Sequence, residues 1–174
     1  VLMRKWGELK KDIFGIAVAN AGDVNHDGTD DVVVGAHLWD KPIAGSKKKL
    51  KSIGRVYVYS GRDRSELFAL APITGDRKGD WFGYSVAGAD VDGDGYSDII
   101  VGAPRADLTA TVNGKVKVLK RDAGKVYVYS GKTGELIATV TGTATGDNLG
   151  FAVANAGRVA PAPSTLPVAP LVIP

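Results

Sequence analysis

The sequence predicts an all-β protein made of β-propeller blades of four antiparallel strands each, with too few blades to close a ring. Three observations predict this fold. The chain repeats itself at an interval of about 67 residues, each repeat holds four short apolar runs, and no helical periodicity lies between them. Tandem four-stranded units are typical of propellers, which have about 4–8 blades. The 174 residues hold two full repeats and part of a third, so the ring is incomplete in this chain.

The composition indicates a globular protein without disulfide bonds or membrane insertion. Hydrophobic residues make up 44% and charged residues 24% of the chain, as in ordinary folded domains. There is no Cys, and no apolar run reaches the roughly 18 residues that cross a bilayer. The net charge of +3 comes from two basic clusters without interleaved aromatic residues, so we expect no nucleic-acid binding and interpret both as solvated faces. The clusters are Lys47, Lys48, Lys49 and Lys51, and Lys115, Lys117, Lys120, Arg121 and Lys125.

Three copies of one opening motif set the boundaries of the repeats. The stretches that begin at Asp12, Asp80 and Asp147 align over eight residues and start 68 and 67 residues apart. The sequence divides into residues 1–11 as the end of a preceding blade strand, 12–78 as the first repeat, 79–145 as the second, 146–158 as the start of a third, and 159–174 as a Pro-rich tail or linker.

A short acidic loop follows the opening motif and is strongest in the second repeat. Asp90–Asp98 places carboxylates at loop positions 1, 3, 5 and 9, with Gly93 and Gly95 between them. Clustered carboxylates repel one another, whereas Ca²⁺ takes about 6–8 oxygen ligands. Glycine tolerates the left-handed backbone that a curl around an ion requires. The predicted calcium ligands are the side chains of Asp90, Asp92, Asp94 and Asp98 and the backbone carbonyl of Tyr96.

The first repeat carries the same loop with one ligand charge fewer, because position 3 is a neutral Asn. Calcium affinity follows the charge and rigidity of the ligand set, so we expect two Ca²⁺ sites with the second the tighter. The alternative is a solvated acidic turn. An EF-hand or dockerin loop is rejected, because position 12 is Val34 or Val101 and no helix follows. The predicted ligands of the first loop are Asp23, Asn25, Asp27 and Asp31 with the backbone carbonyl of Thr29.

Three more strands complete each unit. A β-branched run ending in Gly-Ala follows each loop and predicts a buried strand. Alternating Val and Tyr then predict a third strand with one aliphatic and one aromatic face, and Glu66 and Glu135 each begin a fourth. Between the second and third strands lie the variable stretches Leu38–Ile53 and Arg105–Ala123. Asn113-Gly114 within the latter predicts a hairpin turn.

The third repeat stops after its opening. Arg158 stands where Asp23 begins the first metal loop, so a third metal site is not expected. Five prolines in residues 159–174 forbid a central strand and favour an extended chain. This stretch is interpreted as a linker or as the non-native end of a truncated reading frame.

These motifs resemble FG-GAP repeats, as found in the N-terminal propeller of integrin α-subunits and in many secreted bacterial proteins. The resemblance rests on Phe14-Gly15 with Gly35-Ala36, and on Phe82-Gly83 with Gly102-Ala103-Pro104, each pair enclosing an acidic loop. It implies a calcium-stabilised propeller that is extracellular or on the cell surface. Such a module is non-catalytic and presents loops to a protein or glycan ligand in adhesion, and its metal is mainly structural. Packing with further repeats, or self-assembly into a ring, would close the propeller.

The alternative function is an accessory propeller segment of a secreted hydrolase, since the family also flanks such enzymes. No nucleophile and base occur together. His26 occupies a spacer position of the first loop and is interpreted as a solvent-facing turn residue, and His37 follows a buried strand beside Trp39 and is interpreted as packing. The paired carboxylates of a glycosidase could be drawn only from residues already assigned to metal.

Overall fold

A computed structural model describes residues 4–72 and 79–157 and confirms the all-β class. Its strands form two four-stranded antiparallel sheets and two separate hairpins. Over the described residues, no helix has the length and apolar character needed to cross a membrane. The strands are β1 (Ala17–Gly22), β2 (Asp31–Ala36), β3 (Lys41–Pro42), β4 (Lys49–Leu50), β5 (Arg55–Tyr59), β6 (Glu66–Leu70), β7 (Ser85–Ala89), β8 (Asp98–Ala103), β9 (Leu108–Val112), β10 (Lys115–Lys120), β11 (Lys125–Tyr129) and β12 (Leu136–Thr141).

The two sheets are propeller blades with the same strand order and with the same register except for an irregularity between Asn20 and Gly22 in the first blade. The first blade runs β1-β2-β5-β6 and the second β7-β8-β11-β12. Val33 faces Val58 across the first blade and Ile100 faces Val128 across the second. Each blade also has a register shift at the end of its third strand, next to Tyr59 or Tyr129. The four-strand unit predicted from the repeat is therefore confirmed in both copies.

Antiparallel meandering sends successive connections to opposite ends of each blade. The acidic loops lie at one end, together with the turns between the third and fourth strands. The opposite end carries the variable stretches, which form the hairpins β3–β4 and β9–β10. The predicted turn at Asn113-Gly114 is confirmed, with φ of 51° and 70°, and both angles lie in the left-handed region that a type I′ hairpin needs.

The core lies between the blades, and the Phe-Gly motif builds it. Phe82 is fully buried, and its ring meets those of Tyr127 and Tyr129 edge-on, with centroids 5.3 and 6.0 Å apart. A Cβ on Gly35 would collide with the carbonyl oxygen of Gly83, so glycine permits the first blade to approach the second closely. Because Phe14 contacts the two tyrosines of β5 in the same way, the aromatic face of the third strand is a repeated packing surface.

The two outer faces of the blade pair differ. Residues 4–16 cover the first blade, where Glu8 accepts hydrogen bonds from Trp39 Nε1 and from Arg55 at 3.0 and 2.7 Å. The second blade leaves Val140 56% exposed on its outer face. Its counterpart Leu70, which pairs with β5 as Val140 does with β11, is 8% exposed, because the face of the first blade that carries it packs in the core against the second blade. The ring is open on that side, as predicted.

Two termini of the repeat array form no strand within the described residues. Residues 4–11, expected to end a strand, form bends and turns, because the Asp12 carboxylate accepts the amides of Leu9 and Phe14 at 3.1 Å each and folds the chain back. Residues 151–157 are also irregular. They lie against β7, where the Asn155 side chain donates to Gly88 O. Arg158 and the Pro-rich tail lie outside the described residues.

Candidate metal centre

The second acidic loop brings three carboxylates together. Asp90, Asp92 and Asp98 each offer an oxygen, and these oxygens lie within 4.8 Å of one another. The backbone produces this convergence: Gly93 and Gly95 have φ of 79° and 90°, and their amides donate to the two oxygens of Asp90 at 2.8 and 3.2 Å. Sequence spacing therefore folds the loop around its first carboxylate, as predicted from the glycines.

Asp98 anchors this group to the rest of the blade. It is fully buried, and its oxygens accept the amides of Val91 and Gly131 at 2.9 and 3.1 Å. Burial raises the pKa of the Asp98 carboxyl, the two amides oppose that shift, and the charge of Asp92 adds to it. A nearby cation would relieve both effects that raise the pKa, because it favours the ionised form.

Asp94 lies outside the group of three carboxylates. Its Oδ2 is 3.8 Å from Lys132 Nζ, and its Oδ1 accepts the amide of Tyr96 at 3.0 Å. Lys132 also lies over the Tyr96 ring, 5.0 Å from its centroid. The spacing within the acidic loop could not predict the contact with Lys132, because this residue belongs to the turn after β11. The roles of Asp94 and of the Tyr96 carbonyl as ligands stay predictions.

The first loop keeps the curl but does not gather three carboxylates, judged over the described residues. Asp23 accepts the amides of Asp27 and Gly28 at 2.8 Å each. The Asn25 amide nitrogen donates to Asp27 at 3.0 Å. Asp92, at the same position of the second loop, cannot make this bond, because an ionised carboxylate only accepts. The neutral residue thus draws Asp27 to itself. The ligand roles of these residues and of the Thr29 carbonyl stay predictions.

Asp31 holds the same structural position as Asp98. It is 1% exposed and accepts the amides of Val24 and Gly61 at 2.8 and 3.0 Å. Burial raises its pKa, against the effect of the two amides. In both repeats the ninth loop residue therefore ties the acidic loop to the turn between the third and fourth strands.

The two loops contact each other directly. His26 Nδ1 lies 2.9 Å from Gly95 O, its ring packs on Tyr96 with centroids 5.2 Å apart, and Ser97 donates its amide to Asp23 O at 3.0 Å. His26 is exposed, as predicted, but it is a contact between blades as well as a turn residue. The prediction that His37 packs is confirmed: it is buried against Trp81 and Tyr84.

The second loop fits a hard divalent cation. Its converging atoms are all carboxylate oxygens, the donor type that Ca²⁺ prefers. An ionised carboxylate has about four lone-pair sites, so oxygens that already accept an amide keep capacity for an ion. The first loop fits less well, since its third residue is an amide engaged with Asp27.

Comparison with known proteins agrees with the order of these elements. The sequence profile of the FG-GAP repeat matches residues 14–59 and 82–119. This chain carries FG-GAP repeats. Each match begins at the Phe of a Phe-Gly motif and includes the acidic loop and the strand that follows, so the profile covers the segments that build the acidic loop.

The FG-GAP repeats of this chain are similar to those of integrin α-subunits. The chain is 35% identical over 130 residues to integrin alpha-5 of Xenopus laevis, covering 74% of this chain and 11% of that protein. It is 33% identical over 135 residues to integrin alpha-PS3 of Drosophila melanogaster, covering 66% and 11%. The chain thus spans about a tenth of the length of these relatives.

A solved structure with similar architecture is that of the rhamnogalacturonan lyase YesW. The match has a TM-score of 0.41 and 20% sequence identity, and it covers 70% of this chain and 22% of the lyase.

Proposed function

We propose that this chain is a calcium-stabilised, non-catalytic interaction module of an extracellular or cell-surface protein. The convergence of the Asp90, Asp92 and Asp98 oxygens within 4.8 Å carries the proposal. Three carboxylates held so close repel one another, and bound Ca²⁺ would supply the positive charge that offsets this repulsion. Similarity to integrin α-subunits supports the same class of module.

The chain's own residues explain why the metal would be structural. Asp98 has a structural role, because each of its oxygens accepts a hydrogen bond from a backbone amide. One amide is in the acidic loop and the other is that of Gly131, beyond β11. An ion held by this carboxylate would therefore join the loop to the outer half of the blade. Because the unfolded chain has no preformed site, binding would add to the folding free energy.

The opposite end of each blade is suited to a partner. There the hairpins β3–β4 and β9–β10 differ in length between repeats, and surface loops held by a rigid scaffold carry a disproportionate share of binding residues. We propose that these hairpins contact a protein or glycan ligand in an adhesive role, while the acidic loops stabilise the blades.

Calcium titration by calorimetry tests the proposal. We expect binding at up to two sites and a higher melting temperature in calcium. Asp30→Asn is a matched control, because Asp30 is bonded to Asn20 at a loop position outside the predicted ligand set. This variant should keep both sites. The absence of any binding at millimolar calcium would contradict the proposal, and so would binding that survives loss of both Asp90 and Asp23.

A further inference from the structure

The charges of this protein are divided between its two ends. Residues 41–51 and 115–121 hold nine of the 22 Lys and Arg and none of the 19 Asp and Glu, so these 18 residues carry +9 and the rest of the chain −6. The two acidic loops, 23–31 and 90–98, hold eight carboxylates and no Lys or Arg. A net charge of +3 thus conceals a strongly basic end opposite an acidic one.

The basic side chains belong to one surface. The hairpins β3–β4 and β9–β10 leave the same end of adjacent blades. A groove of about 510 Å³ lies where the chain enters and leaves these hairpins, lined by Ser52, Asp80, Arg105, Asp107, Arg121 and Asp122 among others. We call the two hairpins and this groove the basic end. Lys51 pairs with Asp40 at 2.7 Å; within the described residues, the other eight cations of these segments form no salt bridge.

From this arrangement we infer that the basic end binds an anionic polysaccharide, one that carries sulfate or uronate groups. The inference deepens the proposed function by choosing a glycan and locating its surface. Unpaired, mostly exposed Lys side chains attract a polyanion. The groove combines Arg105 and Arg121 with Ser52, Asp80, Asp107 and Asp122. Its hydroxyl and carboxylate oxygens suit the hydroxyl groups of a sugar, while the Lys side chains of the hairpins suit its anionic groups.

The same residues argue against other polyanions. Neither hairpin contains Phe, Tyr or Trp, the side chains on which nucleic-acid bases stack and which anchor proteins at a bilayer interface. Trp81 in the groove is not a free platform, since Arg105 lies 4.8 Å above its ring and Tyr84 stacks on it with centroids 5.6 Å apart. Lys, which supplies eight of the nine cations, provides a point charge without the planar fork for which Arg is preferred in phosphate and nucleic-acid recognition.

Binding of the whole, calcium-loaded chain to heparin, to polygalacturonate and to neutral dextran tests the inference. We expect at least one of the two anionic polymers to bind, more weakly as salt rises because exposed charges are screened, and dextran not to bind. Two triple variants, Lys47→Gln/Lys48→Gln/Lys49→Gln and Lys115→Gln/Lys117→Gln/Lys120→Gln, should each weaken binding at least tenfold. The control Arg62→Gln/Arg64→Gln removes two charges at the acidic end, outside the predicted calcium ligands, and should change binding less than twofold.

Several outcomes would overturn the inference. These are no binding of either anionic polymer at low salt, equal losses in the hairpin and control variants, or tighter binding of an oligonucleotide, polyglutamate or phosphatidylserine vesicles. If the two triple variants keep the melting curve and the calcium titration of the unaltered chain, their glycan binding reports on the basic end alone. A contrary result would then count against the inference and not against the fold or the calcium sites. A failure of the proposed function would instead appear as an absence of calcium binding in the unaltered chain.

Discussion

The two acidic loops share a backbone but differ in what their side chains do. Both curl around a first carboxylate, and both end in a buried Asp that holds two amides. In the second loop Asp92 joins Asp90 and Asp98 in a group of three carboxylates. In the first, Asn25 occupies the same position and bonds to Asp27 instead. The shape of the loop is therefore independent of the charge it concentrates.

The two acidic loops also differ at their fourth residue. His26 has a φ of 57°, and Gly93, its counterpart, has 79°. A left-handed backbone costs a residue with a Cβ about 1–2 kcal/mol, so the first loop contains strain that the second lacks. The His26 ring reaches Gly95 and Tyr96, and that contact offsets the strain. The first loop thus supports the second through this contact.

The largest expected effect tests what the loops have in common. Asp98→Ala and Asp31→Ala should each lower the free energy of unfolding by about 2–6 kcal/mol without calcium, because each leaves two amides without an acceptor, at about 1–3 kcal/mol per group. Urea unfolding in chelator measures both. If one variant were as stable as the unaltered chain, the two positions would not be structural equivalents.

Exchanging the third residues tests what separates the loops. Asp92→Asn removes one ligand charge from the second loop and should weaken its calcium affinity at least tenfold, which is about 1.4 kcal/mol. Asn25→Asp should strengthen the first loop by a similar factor. Calorimetry on both variants measures the change. If Asp92→Asn left the calcium affinity unaltered, ligand charge would not be the reason why the second loop is expected to bind calcium more tightly than the first.

A pH effect should distinguish the first repeat from the second. Burial lowers the pKa of His37, whereas the second repeat has Pro104 at this position. The unfolded chain therefore binds a proton that the folded chain resists. Stability should fall as pH drops below about 6.5, by up to about 1.4 kcal/mol per pH unit. Melting from pH 7.5 to 5.5 measures this loss, and His37→Gln should flatten it. An equal slope in the variant would assign the loss to other groups.

The smallest expected effect concerns the contact between the loops. His26→Gly relieves backbone strain but loses the contact with Gly95 O, so the two changes should nearly cancel and leave stability within about 0.5 kcal/mol. Calcium binding at the second loop should then depend less on whether the first loop is intact, by about two- to fivefold. The comparison uses Asp23→Ala with and without His26→Gly. An unchanged dependence would show that the contact carries no coupling.

Much of the fold could be predicted from the sequence, because the same strand patterns occur in both full repeats. Alternating Val and Tyr at 56–59 and 126–129 specify two strand faces, and Asn113-Gly114 specifies a turn. The cap over the first blade does not follow, because Glu8 finds Trp39 and Arg55 across 31 and 47 residues of chain. Such contacts depend on how elements are brought together in space.

The candidate site was predictable in position and less so in composition. Loop spacing predicts ten ligand positions, yet it cannot distinguish a carboxylate that joins the group, such as Asp92, from one beside a lysine, such as Asp94. Lys132 comes from another turn, and His26 acts on the neighbouring repeat. The double role of Asp98 is likewise hidden, since one of its partners lies 33 residues away.

A site-resolved calcium titration tests the central claim most directly. The amides of Gly28 and Gly95 each donate to the first carboxylate of their own loop, so their nuclear magnetic resonance signals report the two loops separately. We predict that both signals shift and that the Gly95 signal saturates at a lower calcium concentration. Saturation of Gly28 first, or no shift of either signal at millimolar calcium, would contradict the account.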